Sequence, residues 1–360
     1  MSDPVHITLL PGDGVGPEVI GATRRVMDEA AAQADFSISW NEQAFGGAAV
    51  DLLGEPFPAS TQAACASADA ILLGAIGGPA WDDVEPMRRP EAGLLALRKA
   101  LGVFANLRPV SVPTALAHLS VLPFDRVAGT DLLVVRELTG GIYFGEPRQF
   151  SDEEAFDTMR YSRSEIERIA RVAFEQARLR SARVTSVDKA NVLASSRLWR
   201  QVVTALHAEE YHDVALDHMY VDNAAMQIVR DPRSFDVILT ANLFGDILSD
   251  LASTLSGSLG VLPSASLGGS TPLFEPVHGS APDIAGRGEA NPVAAILSGA
   301  LLLEEVGRPT TAAAIRRAVD DTLSSGVMTA DLKSGGVSTE AFCDQVLSRL
   351  VQTMKASPTL

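Results

Sequence analysis

The sequence predicts an α/β fold, because short apolar runs alternate with segments of helical length along the chain of 360 residues. Its composition, 46% hydrophobic and 21% charged, is that of an ordinary globular protein with ample material for a core. A chain of this length holds about two domains or one large unit. We therefore expect a layered α/β protein.

The predicted elements follow one another from the N-terminus. Short apolar runs predict strands over residues 6–10, 71–73, 132–136, 183–188 and 237–240. Apolar residues at helical spacing predict helices over residues 17–34, 91–101, 163–180, 292–306 and 310–323. We interpret the polar residues 140–161 as an arm that pairs with a second subunit. The Gly-, Ser- and Pro-rich residues 257–272 are predicted to form loops.

Charge and cysteine content exclude several classes of function. The formal net charge is −16 and the isoelectric point about 4.8, which argues against nucleic acid or an anionic membrane as partner. Cys65 and Cys343 are too few for a disulfide framework or a thiolate metal site. The N-terminus resembles no targeting signal, and no apolar run is long enough to span a membrane. We therefore expect a soluble, cytoplasmic protein.

Two aspartates lie four residues apart in the apolar run NLFGDILSD. On a helix such residues share one face, so Asp246 and Asp250 point the same way. Close carboxylates repel each other unless a cation lies between them, and oxygen ligands select Mg²⁺ or Mn²⁺. A solvated helix face is the plainer interpretation. However, the neighbours Ile247, Leu248 and Leu251 predict partly buried aspartates, which favours a divalent metal site.

Glycines directly after the first strand suggest dinucleotide binding, but their spacing does not fit. Gly12, Gly14 and Gly16 are followed by Pro17 where the dinucleotide-binding fingerprint needs its third glycine. A tight turn with Pro17 in the first turn of a helix is the simpler interpretation. We therefore do not predict a classical Rossmann domain.

A better cofactor candidate is the segment HGSAPDIAGRGEANP, residues 278–292. Its small residues let the backbone approach a ligand, and Asp283 can accept hydrogen bonds from an adenosine ribose, which favours NAD. Arg287 could meet the 2′-phosphate of NADP, but Asp283 would repel that phosphate. A structured surface loop is the alternative to a cofactor site.

Three arginines lie at the ends of predicted elements, next to glycine or proline. Arg98, Arg108 and Arg136 carry guanidinium groups that bind carboxylates in a bidentate manner, so their convergence would suit a dicarboxylate. Lys189, one of only four lysines, follows an apolar strand. Because a buried lysine can lose its proton whereas arginine cannot, Lys189 is a candidate base to be considered with Asp222 and Tyr143.

Taken in chain order, seven segments resemble the β-decarboxylating dehydrogenases of the isocitrate/isopropylmalate family. The segments are LLPGDGVGPEV, FANLRP, RELTGGIYFG, DKANVL, YVDNAAMQ, NLFGDILSD and FEPVHGSAPDIAG, and they span nearly the whole chain. The resemblance implies a two-domain α/β fold with a shared central sheet rather than a Rossmann domain. It places residues 1–103 and 257–360 in the first domain, which binds NAD, and residues 104–256 in the second, which carries the metal and substrate residues and the dimer interface.

The resemblance also implies a role for each matching residue. Its metal ligands match Asp246, Asp250 and Asp222, with Asp222 supplied by the neighbouring subunit. Its catalytic pair matches Tyr143 and Lys189, and Lys189 also comes from the partner chain. Its substrate-binding residues match Arg98, Arg108, Arg136, Asp222, Leu94, Leu95 and Val192, and its NAD-binding residues match Glu91, His278, Gly279, Ser280, Ala281, Pro282, Asp283 and Asn291. A homodimer with shared sites would then be obligatory for activity.

The implied reaction is the NAD-dependent oxidation and decarboxylation of 3-isopropylmalate in leucine biosynthesis. Leu94 and Leu95 lie on one helix face with Arg98 and would accept an isopropyl group, whereas an extra carboxylate there would be costly to bury. Ordinary core packing is the other interpretation of these leucines. A tartrate, malate or homoisocitrate dehydrogenase, a non-catalytic regulatory subunit and a metal-binding protein without redox activity are the alternatives.

Overall fold

The computed structural model describes residues 4–356. This part of the chain divides into two compact units. Unit 1 is formed by residues up to 103 and from 258 onward, and unit 2 by residues 104–257. The α/β class predicted from the sequence is confirmed, because strands and helices alternate in both units.

The strands and helices of the described residues are numbered in chain order. The strands are β1 (Val5–Gly12), β2 (Ile38–Glu42), β3 (Ala70–Ala75), β4 (Ala105–Ser111), β5 (Asp131–Glu137), β6 (Gln149–Phe150), β7 (Ala155–Phe156), β8 (Arg183–Asp188), β9 (Ala215–Tyr220), β10 (Val237–Thr240), β11 (Pro263–Leu267) and β12 (Leu273–Pro276). The helices are α1 (Gly16–Gln33), α2 (Gly47–Leu53), α3 (Ala59–Ser67), α4 (Pro90–Leu101), α5 (Phe124–Val127), α6 (Arg163–Arg178), α7 (Ala194–Glu210), α8 (Val221–Arg230), α9 (Asn242–Ser253), α10 (Val293–Glu305), α11 (Pro309–Ser324) and α12 (Thr339–Ala356).

Unit 1 contains a mixed arrangement of strands in the order β2-β1-β3-β12-β11. Strands β1, β2, β3 and β12 run parallel, and β11 pairs antiparallel with β12. Strand β3, AILLGA, is buried along its whole length, as expected for a strand covered on both faces. Helices α1, α10, α11 and α12 pack on one another and supply much of the core.

Unit 2 contains strands in the order β4-β5-β10-β8-β9. Strand β4 is antiparallel to β5, and the other neighbours are parallel. Helices α6 and α7 pack together, and α8 packs against α9. Between the short 3₁₀ helix Gly141–Tyr143 and α6, the chain carries the small antiparallel pair β6 and β7, whose residues are exposed. This pair lies within the predicted arm.

The segment 257–272 differs from the prediction that it consists of loops. It contains strand β11, whose residues are almost all buried and which pairs with β12 through Ser264 and Ala265. The sequence misled here because proline and serine, which favour turns at the surface, make up most of this buried strand. The other predicted strands and helices are present within two residues of their predicted ends. No helix among residues 4–356 is long and apolar enough to cross a membrane.

Candidate active site

Asp246 on α9 is the centre of a charged cluster in unit 2. Its Oδ1 accepts a hydrogen bond from Nη1 of Arg136 at 2.5 Å, and its Oδ2 accepts one from the Tyr143 hydroxyl at 2.9 Å. Nη2 of Arg108 lies 3.9 Å from the same carboxylate. Strand β5 therefore supplies Arg136, β4 supplies Arg108, and the turn after β5 supplies Tyr143. Two cations and one phenol converge on a single aspartate.

Asp250 shares a neighbour with Asp246, as the predicted helix face requires. Nη1 of Arg108 lies 3.2 Å from Oδ1 of Asp250. The expectation that both aspartates are partly buried is wrong for Asp250, whose side chain is 68% exposed, compared with 34% for Asp246. The reason is that Ile247, which was expected to cover the pair, is itself 56% exposed. The open side of Asp250 is the side available to a ligand.

The environment of Tyr143 keeps its hydroxyl protonated. Burial, together with the hydrogen bond to Asp246, raises the pKa of Tyr143 above its ordinary value. The nearby Arg136 guanidinium opposes this shift without reversing it. Tyr143 is therefore a proton donor at neutral pH, which is the state required of an acid.

Lys189 and Asp222 form a second, separate cluster in unit 2. Nζ of Lys189, directly after β8, donates to Oδ1 of Asp222 in the first turn of α8 at 2.5 Å. This hydrogen bond lowers the pKa of Asp222. Among residues 4–356, no three Asp, Glu, His or Cys side chains come close enough to hold a metal ion together. Within one chain, Asp222 therefore does not join Asp246 and Asp250.

The donor set on α9 fits a hard divalent cation in part. Asp246 and Asp250 offer carboxylate oxygens on one helix face, which is the ligand type that Mg²⁺ or Mn²⁺ prefers. Mg²⁺ commonly takes only one or two carboxylates and completes its shell with water or substrate oxygens. Two aspartates from one chain are thus enough to begin a site, and Asp222 of a second chain would add a third.

In unit 1, the candidate cofactor loop at residues 278–283 is held by the glycine turn after β1. The backbone N–H of Val15 donates to the Ser280 carbonyl at 2.8 Å. Gly14 has φ +58°, and a Cβ at that position would lie 2.0 Å from the Ser280 oxygen. The turn predicted for residues 12–17 is present, with Pro17 in the first turn of α1. Its support of the loop was not foreseen, because the contact joins segments far apart in sequence.

One buried side-chain nitrogen of the loop has no hydrogen-bond partner among residues 4–356. Nδ1 of His278 lies 2.8 Å from the Gly279 carbonyl, which can only accept, so Nδ1 carries the hydrogen and Nε2 is an acceptor. Burial lowers the pKa of His278, which keeps the ring neutral. Nε2 is buried without a hydrogen-bond partner among residues 4–356. An acceptor in this state, beside exposed Gly279 and Asp283, fits a ligand that offers an N–H or O–H donor.

Asn291, the last predicted cofactor residue, is fixed by contacts within unit 1. Its Nδ2 donates to Oδ2 of Asp331 at 3.0 Å, and its Oδ1 accepts the N–H of Val293 at 3.1 Å. The Ser258 hydroxyl lies 2.6 Å from the same Asp331 oxygen. Asp331 therefore orients Asn291, a connection that the sequence alone did not indicate.

The remaining predicted residues lie on α4 and after β8. Arg98 forms an ion pair with Glu275 at 2.7 Å inside unit 1. Within unit 2, the structure brings Arg108 and Arg136 together at Asp246. Leu94 is half-buried and Leu95 is 46% exposed, so neither belongs to the buried core that Leu97 supplies. The exposed Glu91 contacts Gly77, and Val192 is 63% exposed. All of these remain predictions for substrate or cofactor binding.

Comparison with known proteins identifies similar chains along the whole length. The family model described as isocitrate/isopropylmalate dehydrogenase matches residues 6–346. A 3-isopropylmalate dehydrogenase from Salinibacter ruber is 60% identical over 351 residues, which cover 97% of this chain and 96% of that protein. One from Synechococcus sp. (strain CC9902) is 55% identical, with 96% and 99% covered.

Solved structures of similar shape come from the same group. Isocitrate dehydrogenase from Methylococcus capsulatus has a TM-score of 0.85 and 36% identity, covering 96% of this chain and 99% of that one. A β-decarboxylating dehydrogenase from Thermococcus kodakarensis has a TM-score of 0.83 and 36% identity, covering 99% of both chains. The α/β architecture is therefore one that known dehydrogenases share.

Proposed function

The chain belongs to the isocitrate/isopropylmalate dehydrogenase family, and on that premise we propose that it catalyses the oxidative decarboxylation of 3-isopropylmalate in leucine biosynthesis. The observation that carries the proposal is the 60% identity, over nearly the full length of both chains, to a protein named 3-isopropylmalate dehydrogenase. The charged cluster around Asp246 supports it, because two arginines beside an aspartate pair suit an anionic hydroxy acid.

We assign the cofactors from the donor sets of the two units. NAD would bind at residues 278–283 and Asn291, with the acidic Asp283 favouring a free ribose over a 2′-phosphate. Mg²⁺ or Mn²⁺ would bind Asp246 and Asp250, with Asp222 from a second chain. When bound, NAD accepts a hydride from C2 of the substrate, and the cation draws negative charge from the substrate oxygens.

The side chains of this protein then have distinct tasks. Arg108 and Arg136 bind substrate carboxylates through their guanidinium groups. Lys189, oriented by Asp222, removes the proton of the C2 hydroxyl directly or through water. The resulting β-keto acid loses its β-carboxylate as CO₂, and Tyr143, whose hydroxyl is protonated at neutral pH, donates a proton to the carbon left behind.

Two leucines of α4 that lie outside the buried core support the choice of substrate. Leu95 is 46% exposed and Leu94 half-buried, so an apolar surface is available to an isopropyl group. A substrate with a further carboxylate would lose the hydration of that charge against these two side chains. We therefore assign isopropylmalate rather than isocitrate.

Exposed apolar side chains on α8 and α9 support a homodimer with shared sites. Met226, Val229 and Ile247 are 60%, 42% and 56% exposed, so α8 and α9, which pack on each other, leave apolar side chains uncovered. Asp222 lies on α8 and Asp250 on α9. A second copy that covers this surface would bring its own Lys189 and Asp222 with it.

The first test is NADH formation at 340 nm with purified protein, Mn²⁺, NAD and 3-isopropylmalate. Parallel reactions contain isocitrate, tartrate or malate as substrate, and one contains NADP in place of NAD. We expect turnover with isopropylmalate and NAD, abolished by a chelator. Turnover with another acid alone would discard the role of Leu94 and Leu95. If folded, dimeric protein forms no NADH with any of these acids, the protein is a non-catalytic subunit.

Shared sites are tested by mixing two inactive variants. Lys189→Met and Tyr143→Phe chains are each expected to be inactive, and one site of every mixed dimer would contain an intact Tyr143 and an intact Lys189. After unfolding and reassembly we expect about a quarter of wild-type turnover, because about half of the dimers are mixed and each has one intact site. No recovery, with mixed dimers shown by mass spectrometry, would mean that each site is built from one chain.

A further inference from the structure

Asn242, the first residue of α9, connects two parts of the charged cluster in unit 2. It is completely buried, and its Oδ1 accepts hydrogen bonds from Nε and Nη2 of Arg136 at 3.1 and 2.8 Å. Its Nδ2 donates to the carbonyls of Leu138 and Gly140 at 2.9 and 3.1 Å. One carboxamide therefore holds both the guanidinium of Arg136 and the turn of residues 138–141, which leads to Tyr143.

The backbone of Asn242 is fixed as well. Its N–H donates to the Tyr161 hydroxyl at 2.9 Å. Burial, followed by the charge of the nearby buried carboxylate of Glu137, raises the pKa of this hydroxyl. Glu137 in turn accepts the N–H groups of Gly140 at 2.8 Å and Thr139 at 3.1 Å. The turn before Tyr143 is thus held from two sides, its carbonyls by Asn242 and its N–H groups by Glu137.

Steric contacts leave this arrangement little freedom. A Cβ on Gly245 would lie 2.6 Å from Cγ of Arg136, so α9 packs directly on that side chain. A Cβ on Gly141 would lie 2.4 Å from the Tyr161 hydroxyl oxygen. Arg136 and the turn are therefore held by shape as well as by hydrogen bonds, and the carboxamide of Asn242 lies between them.

We propose that Asn242 is a positioning residue that sets Arg136 and Tyr143 relative to each other. This inference rests on the proposed function, in which Arg136 binds a substrate carboxylate and Tyr143 is the acid. By occupying Nε and Nη2 of Arg136, Asn242 leaves Nη1 directed at Asp246. By binding the two carbonyls, it keeps the Tyr143 hydroxyl 2.9 Å from that same aspartate.

Only a side chain with both a donor and an acceptor can do this. An aspartate at this position would still accept from Arg136, but it would face the carbonyls of Leu138 and Gly140 without a hydrogen to donate. An alanine would lose both sets of bonds and leave the polar groups of Arg136 and the turn unsatisfied. The two substitutions therefore separate the two tasks of Asn242.

The test compares Asn242→Asp with Asn242→Ala. For Asn242→Asp we expect KM for isopropylmalate within about threefold of wild type and kcat lower by roughly 30-fold, because the acid is displaced while the substrate arginine stays in place. For Asn242→Ala we expect KM to rise about tenfold in addition to the loss in kcat. The affinity for isopropylmalate with Mn²⁺, measured by calorimetry, should follow KM in both variants.

Two controls exclude a general loss of structure. Ser298→Ala, in α10 of unit 1, removes one buried hydroxyl that donates to the Ala294 carbonyl at 2.8 Å, and it should leave kcat and KM unchanged. Thermal unfolding is measured for every variant. If Asn242→Asp does not fold, Tyr161→Phe replaces it, since it removes only the hydroxyl behind Asn242. We expect kcat for Tyr161→Phe to fall about fivefold at unchanged KM.

The outcomes separate this proposal from the proposed function. The positioning role would be overturned if Asn242→Asp and Asn242→Ala changed kcat by the same factor as each other and KM by the same factor as each other. Where Tyr161→Phe carries the test, an unchanged kcat in that variant would overturn it. If wild-type protein turns over a different hydroxy acid, the substrate assignment fails, and the same comparison is made with that acid. Wild-type protein that is inactive with every acid would overturn both.

Discussion

The two candidate regions are held together by different kinds of contact, side-chain contacts in unit 2 and backbone contacts in unit 1. Around Asp246 in unit 2, side chains from β4, β5, the turn after β5 and α9 make the contacts, at 2.5–3.9 Å. At residues 278–283 in unit 1, the backbone and small side chains make them, and the nearest support is the backbone of Val15 and Gly14. The first region is suited to polarising and protonating a substrate, and the second to close approach of a flat or extended ligand.

The regions also share one structural device, a buried carboxylate that anchors loops. In unit 1, Asp13 accepts the N–H groups of Gly47, Ala48 and Gly77 at 2.7–2.8 Å. In unit 2, Glu137 accepts those of Gly140 and Thr139. Burial raises the pKa of both carboxyl groups. Neither acid is part of the charged cluster around Asp246, so both serve to hold loops in place.

The contrast between side-chain contacts around Asp246 and backbone contacts at residues 278–283 implies that different kinds of substitution disrupt the two regions. The side-chain region should be sensitive to loss of a charge even when the shape is kept, because its contacts are electrostatic. The backbone region should be sensitive to a single added carbon atom even when no charge changes. Substitutions that alter only charge or only volume can therefore distinguish them.

Asp246→Asn changes charge but hardly any volume, and we expect the largest effect from it. Arg136, Arg108 and Tyr143 all converge on this carboxylate, and it is a candidate metal ligand. We expect turnover to fall roughly a thousandfold and the Mn²⁺ concentration for half-maximal activity to rise steeply.

The matched control is Asp321→Asn, a surface aspartate on α11 that lies 3.9 Å from Arg317. It should have wild-type kinetics and stability. A Mn²⁺ titration of Asp246→Asn that coincides with that of wild type would show that the aspartate pair does not hold the metal.

Gly14→Ala adds volume without charge to the other region. Its Cβ would lie 2.0 Å from the Ser280 oxygen, at a φ of +58° that alanine rarely adopts. We expect the loop to shift and the dissociation constant for NAD to rise at least about tenfold, with a smaller change in KM for isopropylmalate. Fluorescence titration with NAD measures the binding without turnover.

Gly21→Ala is the control for this substitution, because a Cβ at Gly21 on α1 would have no atom within 4 Å. It should bind NAD normally and be equally or more stable, since alanine favours helix over glycine. Wild-type NAD affinity in Gly14→Ala would place the cofactor elsewhere than residues 278–283.

The same contrast explains what could be foreseen from the sequence. Asp246, Arg136 and Lys189 could be found because charged residues in apolar surroundings are visible in a sequence, and the family motifs placed them in order. The role of Gly14 could not, because its partner Ser280 is 266 positions away and the contact is between backbones. A glycine pattern reveals tight turns but not what packs against them.

The role of Asn242 could not be predicted for a related reason. It shares its motif with the two aspartates, and an asparagine at the start of a helix favours a local capping role in the sequence. Here its side chain bonds to Arg136 and to residues 138 and 140 on another element instead. Likewise, Asp250 was expected to be partly buried from its neighbours in sequence, but exposure depends on the elements packed around α9.

The smallest expected effect concerns the buried anchors and their dependence on pH. Because burial raises the pKa of Glu137 in the folded protein, the folded state binds a proton more readily than the unfolded state, whose carboxyl has a pKa of about 4.5. This contribution to the free energy of unfolding is greatest below that pH and declines as pH rises through the folded pKa. Glu137→Gln should remove the decline, so wild type loses stability relative to the variant as pH rises through this window.

Urea unfolding of both proteins at a series of pH values measures this difference, and Asp13→Asn provides the comparison in unit 1. Because burial also raises the pKa of Asp13, the same direction is expected there. If wild type instead gains stability relative to Glu137→Gln as pH rises, the hydrogen bonds from the N–H groups of Thr139 and Gly140 outweigh burial. The folded protein would then prefer the carboxylate. The anchor of unit 2 would then be a charged group like the cluster that it supports, and the two regions would differ in their anchors as well as in their contacts.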